Sequence, residues 1–177
     1  MIKLRRFQED DFDRLINWAK TPEFLLQWAG PMFYYPLDRK QLEKYYHSSI
    51  VEKPLRKIYT AINTELNEEV GHIELNNVDL RNNSATISRV LVDERFRGKG
   101  YGSQMVSELL EVGFVEMGLH RIDLFVFDFN KSAIACYENA GFVKEGYIRQ
   151  CRRMGNEYWS LYQMSVLADE RKGKAKK

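Results

Sequence analysis

The sequence predicts an α/β (α+β) fold of three layers, in which helices flank a mixed sheet. Three observations favour this class. Helical periodicity recurs in separate segments, residues 58–92 carry three strand-like runs in succession, and Ile122–Phe127 has the dense apolar composition of a strand inside a sheet. The chain has 177 residues, of which 44% are hydrophobic, and this is enough for one domain with a buried core.

The N-terminal half predicts a strand, two helices and a three-strand meander. Residues 2–7 alternate as a short strand does. Asp10 and Asp11 begin a helix that runs to Lys20, and Asp38 begins a second helix after an aromatic stretch at residues 24–35. From residue 57 the period becomes that of strands. The meander comprises residues 58–63, 70–75 and 85–92.

The C-terminal half predicts helix, strand, helix and a closing hairpin. Residues 101–117 carry a broad apolar stripe, and Gly118 is a plausible C-terminal stop. The strand at residues 122–127 is followed by a short helix that ends at Gly141. The hairpin joins residues 142–151 to residues 158–167. We therefore expect a single domain over residues 1–168 and a basic, disordered tail over residues 169–177.

Charge and composition limit the partners. The chain has 27 Lys and Arg against 25 Asp and Glu, but residues 170–177 hold five of the bases and one acid, so the body is slightly acidic. This favours a solvated tail over a nucleic-acid surface. The sequence lacks a long apolar stretch or signal-like start, so we expect a cytoplasmic protein without a membrane span. The two cysteines lie outside any CxxC or Cys/His cluster, so no metal is expected.

A glycine-rich turn between a strand and a helix is the most informative segment. Residues 97–102 read RGKGYG, and Ser103 follows. Three glycines in five positions let backbone N–H groups converge at the positive end of a helix, as a pyrophosphate requires. The segment lacks the Gly-Lys-Ser/Thr ending of a nucleoside-triphosphate loop, and its GxGxG spacing departs from the dinucleotide fingerprint. A glycine turn without a ligand is the alternative.

A second motif follows about 28 residues downstream, where residues 130–142 read NKSAIACYENAGF. Together the two segments resemble the signatures of the GNAT superfamily of N-acetyltransferases. The first matches its Arg/Gln-x-x-Gly-x-Gly/Ala motif, and the second its Asn-x-x-Ala/Ser-x-x-x-Tyr-x-x-x-Gly-Phe motif. The resemblance covers residues 1 to about 168. The chain is most similar to the branch containing ribosomal-protein N-terminal acetyltransferases and spermidine acetyltransferases.

The resemblance implies a GNAT-like fold with about seven strands, mostly antiparallel, and a splayed central pair. It implies transfer of an acetyl group from acetyl-CoA to a primary amine of a protein N-terminus, polyamine or small molecule, by direct attack in a ternary complex. It is compatible with a homodimer. The alternative is a non-catalytic acyl-CoA-binding protein, or a module that binds the ribosome or RNA through its tail.

The resemblance also assigns cofactor-binding residues. Backbone N–H groups of the loop would bind the pyrophosphate, two basic side chains would support it, and the preceding strand would pair with the pantetheine arm. Asn130 would hydrogen-bond a pantetheine amide, or would instead cap the following helix. The full set is Leu91, Val92, Arg97, Gly98, Lys99, Gly100, Gly102, Ser103 and Asn130.

Two residues are predicted to be catalytic. Tyr137 would donate a proton to the departing thiolate, and its alternative role is that of an inward-facing aromatic. Glu74 would accept the amine's proton, since spermidine acetyltransferases look alike at Gly71–Leu75, or it would be an exposed strand residue. Some relatives carry a glutamate twelve positions before the tyrosine, where this chain has Phe125, which puts an N-terminal alanine substrate in doubt.

Overall fold

The computed structural model describes residues 1–174. Within them, seven strands form one sheet. The strands are β1 (Ile2–Arg6), β2 (Lys57–Asn63), β3 (Glu68–Asp79), β4 (Ser84–Val92), β5 (Arg121–Phe127), β6 (Val143–Met154) and β7 (Glu157–Leu167). Their order in the sheet is β1-β2-β3-β4-β5-β7-β6. Neighbours are antiparallel except β4 and β5, which are parallel. The predicted mixed, mostly antiparallel sheet is confirmed.

Helices cover both faces of the sheet. They are α1 (Phe12–Trp18), α2 (Pro22–Ala29), α3 (Arg39–His47), α4 (Tyr101–Glu111), α5 (Lys131–Ala140) and α6 (Ala168–Lys174). Apolar side chains of α1, α2 and α3 form one core cluster with Leu91 of β4. Side chains of α4 and α5 form the other cluster, with residues from six of the strands. This arrangement confirms the three layers.

Side-chain caps determine where several helices begin. The Asp38 carboxylate accepts a hydrogen bond from the Gln41 N–H at 2.8 Å, as expected for the residue that begins α3. The Thr21 hydroxyl accepts from the Phe24 N–H at 3.1 Å, and Pro22 takes the first helical position. Helix α2 therefore begins inside the segment that the sequence analysis treated only as an aromatic stretch.

The first predicted helix is shorter than expected. Residues Glu9–Asp11 form a 3-10 turn, and α1 ends at Trp18 rather than at Lys20. Asp11 is 2% exposed because its carboxylate bonds to side chains of the sheet. Helix α4 continues into a single π-helical turn, Val112–Glu116, and Gly118 follows with φ of +66°. The predicted stop at Gly118 is confirmed.

Part of the segment that the sequence predicts as a disordered tail is helical in the structure. Residues 168–174 form α6, and the Glu170 carboxylate accepts a hydrogen bond from the Leu167 N–H at 2.9 Å. Arg171 reaches across to α4, where its Nη2 lies 2.6 Å from Oε1 of Glu111. The segment after β7 is therefore a helix that contacts the body of the protein. The remainder of the predicted tail, residues 175–177, lies outside the described residues.

Candidate active site

A cleft opens where two neighbouring strands of the sheet separate. Strands β4 and β5 pair from Ser84 opposite Arg121 to Ile87 opposite Leu124, and the ladder ends there although both strands continue. The predicted splay of the central pair is therefore present. The sequence predicts that β5 is buried on both faces. Phe125 of this strand is nevertheless 47% exposed, because β4 diverges from β5 before it.

The cleft has a volume of about 880 Å³ and crosses the sheet. One wall comes from α2 and the turn after it, another from the glycine loop with α4 and α5, and a third from β6 and β7. Nine of the sequence-predicted site residues line it: Leu91, Val92, Arg97, Gly98, Gly100, Gly102, Ser103, Asn130 and Tyr137. The structure therefore brings the two sequence motifs to one place.

The glycine loop has the backbone geometry of an anion site. Gly98 and Gly100 have φ of +74° and +76°, a conformation that L side chains rarely adopt. Gly100 is the N-cap of α4, so the N–H groups of the first helical turn lack intrahelical carbonyl partners. They converge with the helix dipole on the mouth of the cleft.

The two basic residues of the loop are placed differently. Arg97 lines the cleft, its Nε donates to the Val92 carbonyl at 3.1 Å, and its guanidinium lies over the Phe24 ring. The Lys99 ammonium lies 5.3 Å from the centre of the Phe96 ring, and Lys99 is not among the lining residues. Arg97 is therefore the basic side chain of the loop that the fold directs to the cleft.

Tyr137 and Asn130 lie on α5 and at its start. Tyr137 is 7% exposed, and among the described residues its hydroxyl has no hydrogen-bond partner. Burial raises the pKa of this phenol well above its usual value, so it stays protonated at neutral pH. Asn130 caps α5 through Oδ1, which accepts from the Ala133 N–H at 3.3 Å. The cap leaves the Asn130 amide N–H₂ able to donate into the cleft.

Cys136, which precedes Tyr137 in the sequence, also lines the cleft. The helical spacing predicts that the two side chains point about 100° apart. The Cys136 sulfur lies 3.4 Å from the Ser103 hydroxyl, beside the glycine loop. Burial raises the pKa of this thiol, so the neutral form predominates. Cys136 therefore lacks the thiolate character of a nucleophile.

A β-bulge in β4 turns Arg89 toward the wall of the cleft that α2 and the turn after it form. His72 of β3 pairs with Leu91 and Glu74 pairs with Ser88, so Arg89 and Val90 together face one residue of β3. Arg89 has φ of +51°, which is uncommon for a residue with a side chain. The bulge changes the phase of side-chain alternation, and Arg89 joins the face covered by α1, α2 and α3.

Glu74 lies behind this arginine and does not line the cleft. Its side chain is 0% exposed, and Oε1 lies 2.8 Å from Nη1 of Arg89. The Tyr45 hydroxyl donates a short hydrogen bond to Oε2, and Arg56 lies 4.0 Å from the same oxygen. The structure thus removes Glu74 from direct reach of a ligand and pairs it with two arginines, rather than exposing it on the strand.

Two further groups of this buried cluster are neutral. Burial, with the nearby Arg89 charge, lowers the pKa of His72 to about 3. Burial and the charge of Glu74 raise the pKa of Tyr45 well above its usual value. With two arginines and one glutamate, the cluster carries a net positive charge. Arg89 is not among the sequence-predicted site residues, although a charged residue next to the apolar run Val90–Val92 signals the need for a partner.

The sequence profile of the acetyltransferase (GNAT) domain family matches residues 2–143. This match covers most of the chain. The chain belongs to the GNAT acetyltransferases. It is an N-acetyltransferase that uses acetyl-CoA as its co-substrate.

Three relatives illustrate the range of similarity. The acetyltransferase is 24% identical to spermidine N(1)-acetyltransferase of Vibrio cholerae over 167 residues, 94% of this chain and 92% of that protein. It is 35% identical to YnaD, an uncharacterised N-acetyltransferase of Bacillus subtilis, over 42% of this chain and 44% of that protein. The crystal structure of the Vibrio cholerae enzyme with CoA and spermine superposes with a TM-score of 0.84 at 22% identity, covering 96% of each chain.

The described residues of the acetyltransferase meet the requirements of neither a metal site nor a helical membrane span. Within residues 1–174, no three or more His, Cys, Asp and Glu side chains come together as a metal site would require. No helix in the described part of the chain has the length and apolar character needed to cross a membrane.

Proposed function

We propose that the cleft binds acetyl-CoA along the glycine loop and the splayed strands, and that a primary amine attacks the thioester directly in a ternary complex. The observation that carries this proposal is the continuity of the cleft. A single cavity of about 880 Å³ joins the anion-binding loop, the separated strand edges and the Tyr137 side chain. These are the features needed for a pyrophosphate, a pantetheine arm and a leaving thiolate, in that order.

The glycine loop would hold the pyrophosphate of the cofactor. Backbone N–H groups of Gly98, Gly100, Gly102 and Ser103 would bind the pyrophosphate, with the Arg97 charge beside them. A Cβ at Gly102 would lie 3.6 Å from Val92 and 3.9 Å from Cys136, so the loop packs closely against the cleft wall. Lys99 would add only longer-range charge.

The pantetheine arm would occupy the gap between β4 and β5. Beyond Ile87 and Leu124, the facing edges of these strands are no longer joined by the ladder. An extended amide chain can hydrogen-bond to such an edge as an added strand does. Leu91 and Val92 would supply backbone groups for this pairing, and the Asn130 amide would donate to a pantetheine carbonyl.

Tyr137 would act as the general acid. The amine nitrogen forms a bond to the acetyl carbonyl carbon, a backbone N–H near Leu91 or Val92 stabilises the oxyanion, and the carbon–sulfur bond then breaks. The thiolate takes a proton from the Tyr137 hydroxyl, whose hydrogen-bonding capacity is not used by the described residues. The proton lost by the nitrogen restores the phenol through water, which gives the amide and free CoA.

The burial of Glu74 supports a role behind the cleft wall. Its carboxylate is enclosed by Arg89, Arg56 and Tyr45, so a bound amine would meet Arg89 first. In this proposal Glu74 is a positioning residue that holds Arg89 at the cleft wall. The ammonium would lose its proton to water before attack, because no carboxylate among the described residues lines the cleft.

The substitution Tyr137→Phe tests the proposal. We expect kcat for release of CoA thiol, measured with a panel of primary amines, to fall by about 100-fold, the scale of general acid catalysis. The KM for acetyl-CoA should change less than about twofold. Tyr158→Phe is the control, since Tyr158 is exposed on β7 and does not line the cleft.

Two results would contradict the proposal. Equal losses in kcat and in acetyl-CoA affinity would make Tyr137 a structural residue. Binding of acetyl-CoA without turnover of any amine would indicate a non-catalytic acyl-CoA-binding protein instead.

A further inference from the structure

The residues that line the cleft carry positive charge, and the carboxylate that pairs with Arg89 lies behind it, outside the lining. Among the described residues, those lining the cleft include no aspartate or glutamate. They include three arginines: Arg97 beside the glycine loop, Arg89 on the bulge of β4, and Arg152 on β6. Arg152 donates to the Cys151 carbonyl at 2.9 Å and forms no ion pair with the described residues.

Arg89 presents a donor pair that is only weakly satisfied. Its Nη1 faces Glu74, while Nε and Nη2 both point to the Met32 sulfur, at 3.1 and 2.8 Å. The Nε–Nη2 edge of a guanidinium matches the two oxygens of a carboxylate or phosphate. A thioether sulfur is a weak acceptor, and an unbranched methionine side chain moves easily. Met32 itself lines the cleft.

One more donor lies near the same sulfur, and an unpaired donor belongs to another residue of the cleft lining. Nη1 of Arg56 lies 3.5 Å from the Met32 sulfur, so two guanidinium groups converge on one weak acceptor. Trp28 lines the cleft, and its buried indole N–H has no hydrogen-bond partner among the described residues. A buried donor without an acceptor costs free energy that a ligand oxygen can recover.

We infer that the place now held by the Met32 sulfur is an anion subsite, and that the acceptor is an amine bearing a carboxylate or phosphate group. This inference rests on the proposed function and specifies its substrate class. The anion pairs with the Nε–Nη2 edge of Arg89 and displaces the Met32 side chain. The amine of the same molecule then faces the thioester. Glu74 holds Arg89 in place from behind.

The same charges disfavour a polyamine. A substrate with several ammonium groups would bring like charge against Arg89 and Arg152 in a cleft that supplies no carboxylate. Like charges repel, and charges at the surface of a protein cleft are screened less than charges in bulk water. The Vibrio cholerae relative is named for spermidine, so the two proteins would differ in acceptor although they share the fold.

Matched pairs of amines test the inference. We would compare phenylalanine with phenethylamine, lysine with cadaverine, and the aminophosphonate analogue of phenylalanine with both, and add spermidine. The expected result is a kcat/KM at least tenfold higher for the anionic member of each pair. The phosphonate distinguishes a phosphate-type ligand from a carboxylate.

A binding measurement keeps the inference separate from catalysis. In the presence of CoA, calorimetry should show that N-acetylphenylalanine or its phosphonate analogue binds at least tenfold more tightly than N-acetylphenethylamine. Absence of turnover for every amine would count against the proposed function alone. Equal binding within the product pairs, no binding of any anionic product, or a preference for spermidine would overturn the inference.

A double variant tests the assignment to Arg89. Glu74→Gln with Arg89→Gln removes both members of the 2.8 Å pair, so neither Glu74 nor Arg89 is left charged without the other, and Arg56 stays 4.0 Å or more from the lost carboxylate. We expect the preference for the anionic member to fall to within about twofold, with CoA affinity unchanged. Arg153→Gln is the control, because Arg153 is exposed beside Arg152 and outside the cleft. A preference that survives the double variant would overturn the assignment.

Discussion

At the scale of single residues, Asp11 shows how one buried carboxylate joins the helical layer to the sheet. It accepts two hydrogen bonds of 2.7 Å from Arg5 of β1, and the Thr60 hydroxyl of β2 donates to it at 2.8 Å. Arg14 of α1 and the Gln8 N–H complete the set, at 2.6 and 2.9 Å. Burial alone would raise the pKa of Asp11, but these donors outweigh it and lower the pKa to about 2.

The lowered pKa of Asp11 predicts that the free energy of unfolding decreases in acid. Because its pKa falls from 3.8 to about 2 on folding, Asp11 adds stability that is complete above about pH 5 and is lost as the pH falls toward 2. The shift corresponds to about 2 kcal/mol. Asp11→Asn should therefore lower the free energy of unfolding at pH 7 by about that amount. Urea denaturation between pH 2 and pH 7 measures the effect.

The neighbouring Asp10 supplies the control. It is exposed, so Asp10→Asn should leave the acid dependence unchanged. An Asp11→Asn curve parallel to that of the wild type over the whole pH range would show that the Asp11 network does not drive acid unfolding.

At the scale of elements, the junction of β4 and α4 has the backbone conformation that an anion site requires. Two glycines of the junction adopt positive φ with no atom within 4 Å of an added Cβ. Backbone conformation, rather than lack of space, therefore requires glycine at Gly98 and Gly100. The bulge at Arg89 lies in β4, and the two glycines follow in the junction after it.

Gly100→Ala tests the junction. We expect a loss of about 1 kcal/mol in stability from the left-handed conformation. We also expect a rise of at least tenfold in the Kd for CoA, because the first N–H groups of α4 would be re-aimed. Calorimetric titration with CoA measures the second effect.

Gly118→Ala is a matched control for this substitution. Gly118 has φ of +66° and open space around it, but it lies outside the cleft. It should lose similar stability and keep its CoA affinity. Equal loss of CoA affinity in both variants would make the effect one of global destabilisation.

At the scale of the whole molecule, one sheet connects the two helical layers, and the C-terminal helix α6 contacts α4. The contacts of α6 with the body include the ion pair between Arg171 and Glu111, whose side chains are 26% and 52% exposed. A surface pair of this kind contributes about 1 kcal/mol or less. The site lies on the other elements.

Removal of residues 170–177 should therefore have small consequences. We expect Tm to fall by about 2–4 °C, the shift for 1 kcal/mol in a domain of this size. The kcat, the Kd for CoA and any residual RNA binding should stay unchanged, as measured by thiol release, calorimetry and filter binding. Loss of RNA binding in the truncated chain would instead support a tail that binds nucleic acid.

Much of the fold could be predicted because its signals are local. Helical and alternating periods, the cap at Asp38 and the stop at Gly118 depend only on neighbouring residues, and the structure confirms them. Helix α2 was missed although Thr21 and Pro22 signal its start, because the aromatic residues after them obscured the helical pattern. The roles assigned to Tyr137 and Asn130 stay predictions, although both residues line the cleft.

The sequence by itself determined the glycine loop and the helix of Tyr137, since each is a contiguous segment whose residue types dictate its local backbone. Only the tertiary structure decided what happens to Glu74. A bulge adds one residue to a strand and reverses the alternation beyond it, and no period of two in the sequence reveals it. Arg89, Arg56 and Tyr45 contact Glu74 from separate parts of the chain, so the carboxylate is buried, while its role as a base stays a prediction.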